Sequence, residues 1–253
     1  MKLREYAAFL ALIAGLAFPA AQVQAGPTGQ SATPPARTAA PATRAAPTAA
    51  PRASATPAPS PTAIPTSALS AQEAGELLAE GAWLQLTGDC DRARRNFAAV
   101  AQSNARAAVV AEANYRLAQC YLRDNAAAEA MDTLKDLLKT APKDDPHRAP
   151  AQYLLGESLS ILGAWKDAEA AYLAHLPLTP ELSYLTWQRI AAQRQALGNP
   201  TAAAEAYRQA LAKSPDWTNT SAIRRSLADL ALAAGNAREA VVQYDALRGN
   251  NTS

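Results

Sequence analysis

The chain has 253 residues, 49% apolar and 18% charged, with 18 Pro and 11 Gly, enough for one or two compact domains. A formal net charge of +2 supplies no strongly basic face, so nucleic acid is not expected as a partner. Two Cys and two His are too few for a disulfide scaffold or for a metal centre without carboxylates, and no cofactor is indicated.

At the N-terminus Lys2 and Arg4 precede an uncharged, mostly apolar run over residues 6–21, and Val23, Gln24 and Ala25 form a small-residue ending before Gly26. This layout predicts a secretory signal peptide over residues 1–25, cleaved after Ala25. The run is shorter than the roughly 20 residues that cross a hydrocarbon core. An uncleaved membrane anchor is the alternative. The expected location is exported, periplasmic or extracellular, or else membrane-anchored through this segment.

Residues 26–68 hold ten of the 18 prolines among Ala, Thr and Ser, with Arg37, Arg44 and Arg52 as the only charges. Such a segment has little apolar surface to bury, so the entropy of ordering it goes uncompensated. It is predicted to be a disordered linker, either a tether that holds the folded part off a membrane or wall, or a spacer. Residues 69–253 carry 19 Lys or Arg against 21 Asp or Glu, which leaves the folded part slightly acidic.

That folded part repeats itself. Turn residues Gly88, Asn125, Gly163, Gly198 and Gly235 stand 37, 38, 35 and 37 residues apart. Each is followed by an alanine (Ala93, Ala130, Ala168, Ala203, Ala240) and then a large residue (Phe97, Leu134, Tyr172, Tyr207, Tyr244). Each is preceded by a small residue, namely Gly81, Ala118, Gly156, Ala191 and Ala228. A period of this length points to stacked two-helix units. Close helix crossing needs a small residue, a ring fills the space beside it, and Gly or Asn at the end of the first helix supplies a left-handed cap. Ser70 with Glu73 predicts a capping box, and Asp145-Pro146, Thr179-Pro180 and Asn199-Pro200 each place a capping side chain before a proline. About ten helices and no strand are expected.

Leu155, Gly156, Gly163, Trp165, Ala168, Tyr172 and Pro180 resemble the tetratricopeptide repeat signature, and Ala191, Gly198, Ala203, Tyr207, Ala210 and Pro215 resemble it nearly as well. The resemblance covers residues 72–248 and implies an all-α, right-handed superhelical solenoid of about five repeats over residues 69–253. Glu80, Arg194 and Arg224 stand where the family has apolar groups, so those units are either distorted or turned toward a ligand. A weaker similarity, over residues 207–247, is to the helical region of bacterial soluble lytic transglycosylases, without their catalytic domain.

The family's ligand-facing positions fall here on Leu78, Tyr115, Gln119, Arg123, Tyr153, Glu157, Gln188, Arg225 and Asp229, with Tyr115 and Tyr153 either stacking on an extended ligand or packed on neighbours. No catalytic residue is expected: Glu157 and Ser158 resemble the transglycosylase Glu-Ser pair but fall inside the repeat signature, and His147 and His175 have no nucleophile nearby in sequence. Cys90 and Cys120 either form a disulfide between neighbouring helices or are two buried thiols. The last helix presents Ala240, Val241, Tyr244 and Leu247 without a following helix, which predicts self-association or docking of another protein. The functional expectation is an exported, non-catalytic scaffold that binds a protein or peptide at the bacterial cell envelope. The alternative is an accessory or truncated remnant of a lytic transglycosylase, associated with the cell wall.

Overall fold

A computed structural model describes residues 69–215 and 220–249; the expected signal peptide and linker lie outside the described residues. Ten α-helices follow one another: α1 (Ala71–Thr87), α2 (Cys90–Ala101), α3 (Ala107–Arg123), α4 (Ala127–Thr140), α5 (Arg148–Ile161), α6 (Trp165–His175), α7 (Ser183–Ala196), α8 (Pro200–Lys213), α9 (Ser221–Ala233) and α10 (Ala237–Gly249). A 3-10 turn at Pro180–Leu182 leads into α7, and the described residues contain no strand. The helices pair as five hairpins, the second helix of each packs on the first helix of the next, and α3 touches both α1 and α5. The first helices therefore form a row. No described helix is long and apolar enough to cross a membrane.

The five hairpin bends are built alike. Gly88, Gly163, Gly198 and Gly235 have φ of 100°, 73°, 72° and 74°, and Asn125 reaches 58°, the one non-glycine among the described residues in the left-handed region. In each bend the amide after the left-handed residue donates five residues back to the helix, as Asp89 N–H to Leu84 O and Asn199 N–H to Arg194 O do at 2.9 Å. The left-handed residue's own amide donates to the carbonyl three before it, as Gly163 does to Ser160 at 3.1 Å. Those paired bonds satisfy carbonyls that the helix end would otherwise leave open.

The small residues sit where the helices of a hairpin cross. A Cβ on Gly81 would lie 2.6 Å from the Phe97 ring, and one on Gly156 would lie 2.5 Å from the Tyr172 ring. The second hairpin solves the same problem with Ala118 and a narrower Leu134, both buried. The core runs from hairpin to hairpin: Phe97, Leu84, Leu117 and Cys120 form one cluster across the first two, and Ala74, Val100 and Ala113 form another beside it. Cys90 and Cys120 are paired as a disulfide with Cα atoms 5.4 Å apart, fastening α2 to α3.

Two of the expected helix starts hold. Ser70 Oγ accepts from the Glu73 amide while Glu73 Oε2 accepts from the Ser70 amide, and Asn199 Oδ1 accepts from the Ala202 amide behind Pro200. The other two do not cap a helix. Asp145 Oδ1 instead accepts from the His147 amide at 2.8 Å and lies 3.0 Å from His147 Nδ1, so α5 begins only at Arg148. The Thr179 hydroxyl turns back to His175 Nε2 at 2.7 Å, and Pro180 opens a 3-10 turn rather than α7.

The charged residues at apolar family positions take different surroundings, and Arg224 Nε is buried without a hydrogen-bond partner. Glu80 stays in solvent near Arg92 at 4.0 Å. Arg194 is half-buried, with Nε on Glu169 at 2.7 Å and Nη1 on the Ala202 carbonyl at 3.3 Å. Arg224 Nη1 donates to Gln243 Oε1 at 3.3 Å.

Candidate functional site

Side chains along the row of first helices (α1, α3, α5, α7, α9) are the candidate binding surface, because this row is the one that successive hairpins present side by side. The structure divides the nine residues that the family resemblance selects. Gln119 and Gln188 lie half-buried and Arg123, Arg225 and Asp229 exposed. Leu78 is half-buried and packs on the core clusters of the first hairpins.

Polar bonds order the first two hairpins of this surface. Gln85 Nε2 donates to Gln119 Oε1 at 3.2 Å, and Arg123 donates from Nη2 to the Gly88 carbonyl at 2.8 Å and from Nη1 to the Gln85 carbonyl at 3.3 Å. Arg123 thus closes the open end of α1 from the neighbouring hairpin. Arg116 is held by Glu112 through Nε at 2.9 Å. In the last hairpin Asp229 accepts from the Tyr244 hydroxyl at 2.9 Å.

Tyr115 is half-buried, its ring 5.3 Å from that of His147, and burial pushes its hydroxyl up to about 12. Its neighbour His147 lines a hollow together with Arg106, Val109, Glu112, Asp145 and Pro146, which Tyr115 itself does not line. Tyr115 keeps part of its surface exposed.

Tyr153 and Glu157 are not. Tyr153 is 2% exposed and Glu157 is 3% exposed, so the expectation that they line an open groove is corrected. Their neighbour from the next hairpin covers them: Arg189 Nε lies 2.9 Å from Glu157 Oε1 and 3.0 Å from the Tyr153 hydroxyl oxygen, while Tyr172 donates to Glu157 Oε1 at 2.5 Å. The Tyr153 ring stands edge-on to Tyr172 at 5.5 Å and to His175 at 5.3 Å. Burial, and secondarily the Glu157 carboxylate, push the Tyr153 hydroxyl up to about 12 and the Tyr172 hydroxyl well above its ordinary range. Both phenols are neutral donors or acceptors at any physiological pH.

His175 completes the network. Its Nδ1 lies 2.9 Å from Thr186 Oγ1, its Nε2 2.7 Å from Thr179 Oγ1, and burial pulls its pKa down to about 4, partly offset by Glu181. The ring is neutral, one nitrogen donating and the other accepting. This buried set joins the third hairpin to the fourth. Glu157 Oε1 takes both bonds and the side chain is enclosed, so Glu157 has no open path to a glycosidic oxygen.

Sequence reasoning missed Arg189, Thr186 and Thr179. A signal for Arg189 existed: a carboxylate inside the stretch Leu154-Leu155-Gly156-Glu157-Ser158-Leu159 needs a cationic or hydrogen-bonding partner once buried. Thr179 and Thr186 had no comparable signal.

Comparison with known proteins agrees with this architecture. The tetratricopeptide repeat family model matches residues 87–145 and 193–252. No curated protein sequence matches. Among solved structures, "Crystal structure of MamA protein" superposes with a TM-score of 0.60 at 18% identity, covering 70% of this chain and 90% of that chain. MamA 41-end from Desulfovibrio magneticus RS-1 gives a TM-score of 0.60 at 15% identity, over 72% of this chain and 98% of that chain. At such identities the likeness is one of fold. The two matched stretches carry the tetratricopeptide repeat, and all five hairpins of the described residues bend through the same left-handed turn.

Proposed function

We propose that this protein is an exported, non-catalytic scaffold that holds a protein or peptide segment along its first-helix row at the bacterial cell envelope. Tetratricopeptide repeats are protein-interaction modules, and the coarse role follows from them. The observation that carries the finer reading is the row Gln119, Arg123, Gln188, Arg225 and Asp229. These are hydrogen-bonding side chains on the second, fourth and fifth hairpins, half-buried or exposed and carrying both signs of charge, suited to the backbone amides and mixed side chains of an extended peptide.

Export is supported by two independent features. The leader over residues 1–25 has the basic, apolar and small-residue order of a secretory signal, and the Cys90–Cys120 disulfide is chemistry that persists in oxidising compartments. The Pro-rich residues 26–68 then act as a tether between the envelope and the repeats. Association with the cell wall is part of this proposal. The alternative, a remnant of a peptidoglycan-cleaving enzyme, loses its one acidic candidate to the buried network of Glu157.

Fractionation of the source cells, with thiols trapped at lysis, tests the reading. The expected result is an envelope or extracellular protein, lacking residues 1–25 or anchored by them, with both cysteines oxidised. A cytosolic protein with free thiols would overturn it.

A further inference from the structure

The repeat register exposes two residues that every comparable position buries. Two residues beyond each small crossing residue stand Trp83, Cys120, Ser158, Gln193 and Leu230; the last four are buried, Cys120 against Cys90 of the preceding hairpin, whereas Trp83 is 61% exposed. At the ring position the first four residues, Phe97, Leu134, Tyr172 and Tyr207, are buried, whereas Tyr244 is 37% exposed. Val241, one turn earlier on α10, is 56% exposed, and nothing among the described residues packs on this side of α10. The two uncovered faces are the two halves of an interface that the molecule makes four times within itself.

We infer that the α1 face of one copy docks on the α10 face of a second copy, head to tail, in the register of the internal hairpin contacts. That register is visible in the existing pairs. Cys90 meets Cys120, Arg94 Nη1 pairs with Asp124 at 3.1 Å, Phe97 clusters with Leu117 and Cys120, and Val100 clusters with Ala113. His175 beside Thr186 repeats the Val100–Ala113 pairing in a later hairpin. Carried to the ends, the pattern seats Trp83 over Ala237 and Tyr244, sets Thr87 beside Val241, and brings Glu76 to Leu247 and Arg248.

The chemistry of the two faces matches in that alignment. The apolar end of α1, with Trp83, meets the apolar part of α10. Glu80, the counterpart of Leu117, comes to Tyr244, and the acidic end of α1, Glu73 and Glu76 with no Lys or Arg on the helix, comes to Arg248. Arg248 now lies 3.9 Å from Asp245, exposed on both sides, and is free to turn. A head-to-tail contact uses a different face on each partner, so it propagates into chains instead of stopping at a dimer.

Sedimentation velocity of the purified protein over a concentration series tests this. The wild type is expected to form a ladder of oligomers, and Trp83→Glu and Val241→Glu are each expected to weaken association by at least about tenfold with helical content unchanged. Trp83→Gln and Val241→Gln serve as milder variants should either glutamate disturb folding. An equimolar mixture of Trp83→Glu and Val241→Glu retains one good face on each partner and is expected to give heterodimers and nothing larger. A wild type that stays monomeric at its highest soluble concentration overturns the inference. So do variants that associate like the wild type, an effect of one face without the other, or a mixture that fails to pair.

Discussion

Replacing Gly156 by Ala adds one methyl group at the closest helix crossing of the third hairpin. Its Cβ would stand 2.5 Å from one Tyr172 ring carbon and 2.7 Å from two more. The ring has little room to retreat, because its hydroxyl is bonded to Glu157 at 2.5 Å and its face meets the Tyr153 edge at 5.5 Å. Helix propensity alone favours Ala over Gly by about 1 kcal/mol, while overpacking a tight core costs about 1–3 kcal/mol and can exceed that where neighbours are pinned. The expected net change is a loss of about 1–2 kcal/mol, or a Tm lower by roughly 2–8 °C for a domain of this size.

The same substitution in a Tyr172→Leu background recreates the Ala118–Leu134 pair that the second hairpin already uses. There the clash is gone and propensity remains, so Gly156→Ala is expected to be neutral or stabilising by up to about 1 kcal/mol. The two single variants and the double variant, followed by urea unfolding with circular dichroism, give the coupling directly. Gly75→Ala is the control, since nothing stands within 4 Å of its Cβ. Equal costs of Gly156→Ala in both backgrounds, or a stabilised single variant, would refute the crossing argument.

The Cys90–Cys120 disulfide closes a 30-residue separation and is expected to contribute about 3–4 kcal/mol in the chain-entropy account; reductant or the double Ser variant should lower the urea midpoint accordingly, and an unchanged midpoint would contradict it. His175 is held neutral with a pKa of about 4 against an ordinary 6.5, so protonation favours the unfolded chain. Its contribution is fully present above pH 6.5 and disappears as pH falls from 6.5 toward 4, about 3 kcal/mol in all; His175→Asn should flatten that part of the stability profile relative to wild type. Glu157→Ala takes the carboxylate from Arg189 and the acceptor from the Tyr172 hydroxyl and is expected to cost about 3 kcal/mol, the lower end for a broken buried pair because Arg189 keeps the Tyr153 hydroxyl oxygen and contact with water. Glu157→Gln retains an acceptor oxygen and should cost less, as equilibrium denaturation would show.

The fold was legible because each repeated residue type answers a local steric demand. Gly or Asn at the five bends, a small residue at each crossing and a large residue beside it all read directly from spacing, and the left-handed φ values stand at the bend residues. The accessibility of the candidate residues was legible only where it depended on one helix. Gln119, Arg123, Gln188, Arg225 and Asp229 sit on the surface as their helical positions require. Tyr153 and Glu157 share those positions, yet Arg189 from the following hairpin closes over them, a contact between residues 32 apart that periodicity does not encode. Asp145 and Thr179 show the same limit at short range. Each stands before a proline as a capping residue should, but a nearby histidine competes for its oxygen, and in both places the histidine wins.

The first-helix row is tested most directly by photo-crosslinking in the native envelope, with a crosslinking residue placed singly at Gln119, Gln188 and Asp229, and at the exposed second-helix positions Lys135 and Arg208. The account predicts that one protein or peptide species is captured from all three first-helix positions and from neither second-helix position. Capture from Lys135 and Arg208 with none from the first-helix row would contradict it.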